Sequence, residues 1–198
     1  MKICVIGAGA IGGLLAAKLA HAGGDVSVIA RGAHLASIVE NGLSLLEEGR
    51  EIVAPVAATD RIADVGEQDL IILGMKAHQV AAIVRDLPAI MGPQTAVLTA
   101  QNGIPWWYFF KHGGPYEAIR LESVDPGGVI ADNLPLNRVI ASVVYAAAAI
   151  ERPGVIRHIE GNRFSLAAID GSKSERIPRV SEDFGKAGFK APVVSDVR

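Results

Sequence analysis

The sequence predicts an α/β fold: a doubly wound, mostly parallel sheet with a β-rich later part. Three observations carry that prediction. Strands rich in apolar residues recur at 2–6, 25–30, 69–73 and 95–99, the first an unbroken run of the kind that suits a strand covered on both faces. Helical spacing of apolar residues separates them, at 10–22 and again at about 77–91. A glycine-rich turn joins the first run to the first helix, so residues 1–30 read as strand, turn, helix, strand, a crossover unit that should be right-handed.

Each element has a local cause. In the first helix Ile11, Leu14, Leu15, Leu19 and Ala22 share a face, Lys18 intrudes as a solvated residue, and Gly23-Gly24 stops the helix. A short second helix spans 32–41, ended by Asn41-Gly42. Strands at 43–46 and 52–57 flank Glu47-Glu48-Gly49-Arg50 as a hairpin. Gly92-Pro93 ends the helix over 77–91. Residues 104–133, rich in Gly, Pro and aromatics, predict an irregular excursion near the surface. Strands follow at 138–149, 155–159 and 163–168. A helix over 174–187, capped by Ser174 or Ser172 and stopped by Gly188, precedes a last strand at 189–194.

Composition narrows the function classes. The 198 residues are half hydrophobic with a net charge of −2, which excludes a disordered chain and gives no electrostatic footprint for nucleic acid. One cysteine excludes a disulfide framework, and Cys4 inside a strand reads as a core residue. Met1-Lys2 and the apolar run behind it imitate an export signal, but glycines at fixed offsets favour strand, loop and helix. Lys18 interrupts the run short of a membrane span, so a cytoplasmic location without membrane partners is expected. The five histidines lack ligand spacing, so no metal is expected.

The chemistry concentrates at strand ends. Gly7-Ala8-Gly9-Ala10-Ile11-Gly12 fits G-x-G-x-x-G between a strand and a helix, the context in which that pattern binds dinucleotides. Gly7 makes the tight turn, Gly9 lets the backbone approach a pyrophosphate, and Gly12 lets helix and strand pack closely. The helix N-terminus supplies free N–H groups and positive dipole to the phosphates. The second strand ends Ile29-Ala30-Arg31-Gly32, with no carboxylate for a ribose 2′-OH. A guanidinium there suits a 2′-phosphate, so NADP(H) is expected rather than NAD or FAD. Lys76 sits beyond the strand at 69–73, at a helix N-terminus where a cation is unfavourable. Asn102, after the strand at 95–99, sits in an Asn-Gly turn pair, but its place at a strand end favours a binding role over a mere turn. His78, near Lys76, has a place to line the pocket but reads first as helix surface. The Trp106-Trp107-Tyr108-Phe109-Phe110 run is a pocket or docking wall, or a local core.

Together these motifs carry a resemblance. Gly7-x-Gly9-x-x-Gly12, Arg31, Met75-Lys76-Ala77-x-Gln79 and Gln101-Asn102-Gly103 occur in the order found in ketopantoate reductases, also called 2-dehydropantoate 2-reductases. Asp125-Pro-Gly-Gly128 and His158-Ile-Glu-Gly161 look like the same family, in a branch with Ile104-Pro-Trp-Trp107, so the resemblance covers essentially the whole chain. It implies a Rossmann-type dinucleotide-binding domain over residues 1–198 and NADPH-dependent reduction of the C2 ketone of 2-dehydropantoate to (R)-pantoate, for pantothenate and coenzyme A synthesis. By that likeness Gly7, Ala8, Gly9, Ala10, Ile11, Gly12 and Arg31 hold the dinucleotide, Lys76 reaches the ribose and the substrate region, and Asn102 orients nicotinamide or substrate.

The family's general-acid lysine, with an Asn, Ser and Glu set, belongs to a helical C-terminal domain after the segment like Lys190 to Arg198. The resemblance therefore implies that this lysine lies beyond Arg198. That domain is not in this sequence, so no catalytic residue is assigned within it, and cofactor affinity without useful turnover is expected of these residues alone. The expected partner is a small 2-keto acid. A homo-oligomer stays open, as do a reductase of another 2-keto acid and a non-catalytic NADP(H) sensor or partner-binding module.

Overall fold

The structure, a computed structural model, describes residues 1–172 and 174–198. Its described residues form a nine-stranded sheet in the order β4-β3-β9-β8-β7-β6-β1-β2-β5. The parallel centre contains β1 (Lys2–Ile6), β2 (Asp25–Ile29), β6 (Gln68–Leu73) and β7 (Met91–Thr99). A three-residue strand, β5 (Ala57–Thr59), extends it beside β2. On the other flank β8 (Val139–Arg152) runs parallel to β7 and turns back as β9 (Val155–Ala168), and β3 (Leu43–Glu47) with β4 (Arg50–Ala54) completes the sheet.

Side chains alternate between two cores, as a strand's period of two dictates. Ile3, Val5, Leu70, Ile72, Ala96 and Leu98 face the core formed with α1 (Ala10–His21) and the later helix Arg176–Lys186. Cys4, Ile6, Ile71, Leu73 and Val97 face the opposite core, with Trp106 and Trp107. The helix α2 (Gly32–Asn41) flanks the first core with Ile38 buried, and α3 (Val129–Asn133) covers part of the second through Ile130. Arg176–Lys186 is α4. Burial pushes the Cys4 thiol up to about 12, which leaves it an inert core residue.

Several elements differ from the sequence expectation. Residues 77–90 form two 3-10 helices, Ala77–Ala82 and Val84–Ile90, rather than one α-helix to Met91. Pro88 in the second supplies no N–H, and Ile83 at φ −123° breaks the run between them. Residues after 138 form one long hairpin, β8–β9, not three separate strands. The segment 189–194 follows β9 only through the bridges Arg163–Lys190 and Leu166–Val193, because Pro192 lacks a donor. Residues 55–57 leave the β3–β4 hairpin, and β5 runs parallel to β2 instead. The helix expected over 174–187 begins at Arg176, with Glu175 rather than a serine in the cap position. Its lead-in Lys173 lies outside the described residues.

Lys18 is the clearest correction. Its side chain is 14% exposed, with Nζ donating to Glu47 Oε1 at 2.7 Å and Oε2 at 3.0 Å and lying 5.3 Å from the Phe189 ring centre. His158 Nδ1 lies 2.7 Å from the same carboxylate, and its Nε2 lies 2.6 Å from the Gly161 carbonyl oxygen. Burial raises the Glu47 carboxyl, but hydrogen bonds and charge from Lys18, then His158, outweigh it and hold the group below its ordinary value of 4.5. A lowered folded pKa stabilises above the unfolded value and stops doing so as pH falls through the folded one. Lys18→Met keeps the stem over Phe189 but removes the ammonium, so chemical denaturation near neutral pH should show a loss of about 2 kcal/mol. The variant should also lose less stability than the parent between pH 4.5 and lower pH, because less of it depends on ionised Glu47.

Candidate functional site

The carboxyl ends of β1, β2, β6 and β7 open onto a cleft of about 1060 Å³. Its walls include Gly7, Gly9, Ala10, Ile11, Arg31, Lys76 and Asn102. A position at the strand ends of an open α/β sheet is where such folds hold ligands, and the volume is that of a pocket for an extended small molecule.

The glycine loop is shaped by contacts that leave no room for side chains. Gly7 has φ +91°, and a Cβ there would lie 2.9 Å from Cβ of Met75. A Cβ on Gly12 would collide with the Gly7 carbonyl oxygen. One on Gly74 would lie 2.7 Å from Gly12 Cα. Gly74 is thus a third member of the interlock, which the G-x-G-x-x-G pattern does not mark. Gly9 differs: a Cβ there would meet nothing within 4 Å, so its open side is cleft. The N–H groups of Gly7 and Ala8 both bond Ile29 O, at 3.0 and 3.3 Å. Those of Ala10 and Ile11, in the first turn of α1, precede any intrahelical acceptor, and no acidic side chain occupies that turn. Ala8 is buried beneath the loop, so Ala8 and Gly12 act through the loop's shape rather than through its surface.

Arg31 caps α2 with extended backbone, φ −141° and ψ 159°, and is exposed on the cleft wall. Pairing of Ile29 with Thr59 brings Asp60 and Arg61, beyond β5, to the same end of the cleft. The Arg61 guanidinium makes only a long 3.6 Å contact with Asp64, with both groups well exposed. Sequence reasoning missed Asp60 and Arg61 because β5 is three residues long. The available signal was the short Ala57-Ala58-Thr59 run immediately before a charged pair.

At the other end Lys76 and Asn102 are brought together, with different environments. The Lys76 ammonium is exposed and has no ion pair among the described residues. Its backbone is fixed: Lys76 N donates to Gln79 Oε1 at 3.1 Å, and Gln79 N to Lys76 O at 2.9 Å. Gln101 Nε2 donates to Met75 O at 2.8 Å, linking the ends of β6 and β7. Asn102 is more than a turn residue. Its Nδ2 donates to Val144 O and its Oδ1 accepts from Val144 N, each at 2.9 Å, so the amide mimics a strand pair and clamps β8 against the end of β7. One N–H and one lone pair of that amide remain for a ligand. His78, for which the sequence favours helix surface over a place on the pocket wall, is exposed and does line the cleft. Trp106 and Trp107 are buried in the second core and are absent from the cleft wall, which settles the local-core reading for those two.

Arg198, the residue beyond which the resemblance puts the general acid, is not part of the cleft wall. Its guanidinium is instead spent on backbone carbonyls of the aromatic run and the β9 end. Nε donates to Tyr108 O at 2.9 Å, and Nη2 donates to Phe110 O at 2.8 Å and to Ile169 O. A side chain only 14% exposed, bonded in this way and also to Asp196 Oδ1 at 3.3 Å, is a structural tie. Among the described residues no cluster of three metal-ligating side chains occurs, and no helix is long and apolar enough to cross a membrane.

The family profile of "Ketopantoate reductase PanE/ApbA" matches residues 3–171. The 2-dehydropantoate 2-reductase of Mesorhizobium japonicum is 51% identical over 199 residues, which cover 100% of this chain and 61% of that protein. The one from Pyrococcus horikoshii is 30% identical, over 100% of this chain and 57% of its own length. The chain therefore spans about 60% of the length of these relatives. A structure assigned as a ketopantoate reductase from Ralstonia solanacearum MolK2 superposes with TM-score 0.93 at 41% identity, covering 98% of this chain and 60% of that one. D-mandelate dehydrogenase, solved with NADH and anilino(oxo)acetate, shares the fold at TM-score 0.78 and 23% identity, with 98% of this chain and 57% of that one covered. With more than half of its length matched by that profile, the chain belongs to the ketopantoate reductase PanE/ApbA family.

Proposed function

We propose that residues 1–198 are the NADP(H)-binding domain of an oxidoreductase that reduces 2-dehydropantoate to (R)-pantoate, a step towards pantothenate and coenzyme A in the cytoplasm. One observation carries the cofactor part. The same cleft that opens over Gly9 and the first turn of α1 has Arg31, not a carboxylate, at the end of β2. The residues fit the group: a small-residue cradle for a pyrophosphate and a guanidinium where a 2′-phosphate would lie. The matched relatives named 2-dehydropantoate 2-reductase support the substrate.

When bound, the nicotinamide supplies the hydride. The chain's own residues do the rest of the positioning. Backbone N–H groups of the α1 N-terminus bind the pyrophosphate. Arg31 offers a two-point, charge-assisted contact to the 2′-phosphate, and Arg61 adds positive charge beside it. Lys76, with no ion pair among the described residues, presents an ammonium to the cleft, suited to a ribose hydroxyl or the carboxylate of a 2-keto acid. Asn102 holds Val144, and with it the β8 wall, at the far end of the cleft. The proton that the ketone needs is assigned to no residue of this chain.

A second reading rests on Asp60. Its carboxylate shares the Arg31 end and could accept from a ribose 2′-OH, which would favour NADH. Titration calorimetry separates the two. Arg31→Ala should weaken NADPH at least about tenfold, the scale of a lost charge-assisted contact, and change NADH by less than about threefold. Equal losses for both cofactors would refute the 2′-phosphate role. With no proton donor assigned among them, residues 1–198 should bind NADPH but leave it unoxidised when ketopantoate is added, and measurable ketopantoate-dependent NADPH oxidation by this chain would refute that assignment. Asn102→Ala frees both backbone groups of Val144 and should lower stability by about 1–2 kcal/mol in a urea titration. It should also weaken NADPH and NADH alike.

A further inference from the structure

We propose that His34 is a positioning residue that ties the glycine loop to the tip of the β8–β9 hairpin, and thereby sets the grip of the loop on the pyrophosphate of a dinucleotide. The inference rests on the reading of the cleft just given. His34 is half-buried on α2 and does not itself line the cleft. Its ring joins two segments far apart in sequence. Nδ1 accepts from the backbone N–H of Gly154 at 3.0 Å, and Nε2 lies 2.7 Å from the carbonyl oxygen of Ala8. A backbone N–H only donates and a carbonyl only accepts, so both bonds form together only in the neutral ring with its proton on Nε2.

Both ends of this strut are otherwise fixed. Gly154 is buried with φ +75°, and a Cβ there would collide with Ser37 Oγ, so α2 seats directly on the hairpin tip. Ser37 Oγ donates to Pro153 O at 2.9 Å, and Ser44 N donates to Gly154 O at 2.9 Å. At the other end Ala8 N bonds Ile29 O, while Ala8 O takes the His34 proton. The Ala8–Gly9 peptide is planar and trans, so its carbonyl and the Gly9 N–H point in opposite directions. Holding Ala8 O on His34 therefore aims the Gly9 N–H to the other side. Gly9 has no side chain to resist a flip of that peptide, and His34 supplies the restraint. The same hairpin carries Val144, Ala146 and Ile150, which form the wall of the cleft. One imidazole thus couples the phosphate loop to that wall.

The test compares the full chain with His34→Leu, which removes both hydrogen bonds, and His34→Gln, whose Oε1 and Nε2 can replace them. Calorimetric titration with NADPH and with NADH should show His34→Leu weakening both by a similar factor, about tenfold, the scale of lost buried hydrogen bonds. His34→Gln should recover most of that affinity. This pattern differs from a defect at the 2′-phosphate end, which would fall on NADPH alone. In the wild-type protein, 15N NMR should find His34 as the neutral ring protonated on Nε2, and that readout needs no variant to fold. A charged ring, a proton on Nδ1, or a His34→Leu protein that binds both cofactors as the parent does would overturn the inference while the cleft reading stands. A wild-type protein that binds neither dinucleotide would overturn the cleft reading and the inference with it.

Discussion

The contact on which the cleft depends is the approach of α1 to the ends of β1 and β6. Gly12 presses against the Gly7 carbonyl and the Gly74 Cα, closer than any Cβ would allow. That proximity places the N-terminus of α1 directly over the strand ends, and the chain turns from β1 into α1 within three residues. Because backbone meets backbone there, the loop has no side chains to relax, and its open side at Gly9 is set by the packing behind it. The sheet supplies the rigidity: β1 and β6 send Ile3, Val5, Leu70 and Ile72 into one core and Cys4, Ile6, Ile71 and Leu73 into the other.

The second wall of the cleft comes from the β-rich flank. The β8–β9 hairpin runs past the end of β7 and is held at three places. Asn102 pairs with Val144, Gly13 packs against Ile156, and His34 with Ser37 fastens the Pro153-Gly154 tip. The ion group of Lys18, Glu47 and His158 binds α1 to β3 and β9 beneath that wall. Polar side chains here connect backbone segments in positions where apolar contacts alone would not specify register.

Much of this was legible in the sequence for a physical reason. Unbroken apolar runs such as 69–73 have few other stable environments, and G-x-G-x-x-G between a strand and a helix constrains backbone geometry directly. What escaped depends on pairs far apart in the chain. Nothing near Lys18 announces Glu47, 29 residues on. Nothing near His34 announces Gly154, 120 residues on. Arg198 gave no hint of the carbonyls at Tyr108 and Phe110, which lie 90 and 88 residues before it. Asn102 can be read as a turn residue as well as a binding one, and nothing near it announces that Val144 takes both atoms of its amide. Pro88 was visible inside the expected helix at 77–91, yet the apolar spacing of Val80, Val84 and Leu87 suits two 3-10 helices as well as one α-helix. The β5 strand is too short for periodicity to detect, and with it went Asp60 and Arg61.

Charge along the cleft is uneven, with Arg31, Arg61 and Asp60 at one end and Lys76 beside the uncharged β8 wall at the other. On the proposed reading, that asymmetry would give a dinucleotide one orientation. A crystal structure of the protein with NADP+ tests it most directly. The account predicts the pyrophosphate over Gly9 and the first turn of α1, the 2′-phosphate on the Arg31 guanidinium, and the nicotinamide towards Asn102 and Val144. A 2′-phosphate left in solvent, or a dinucleotide bound in the reverse direction, would contradict it.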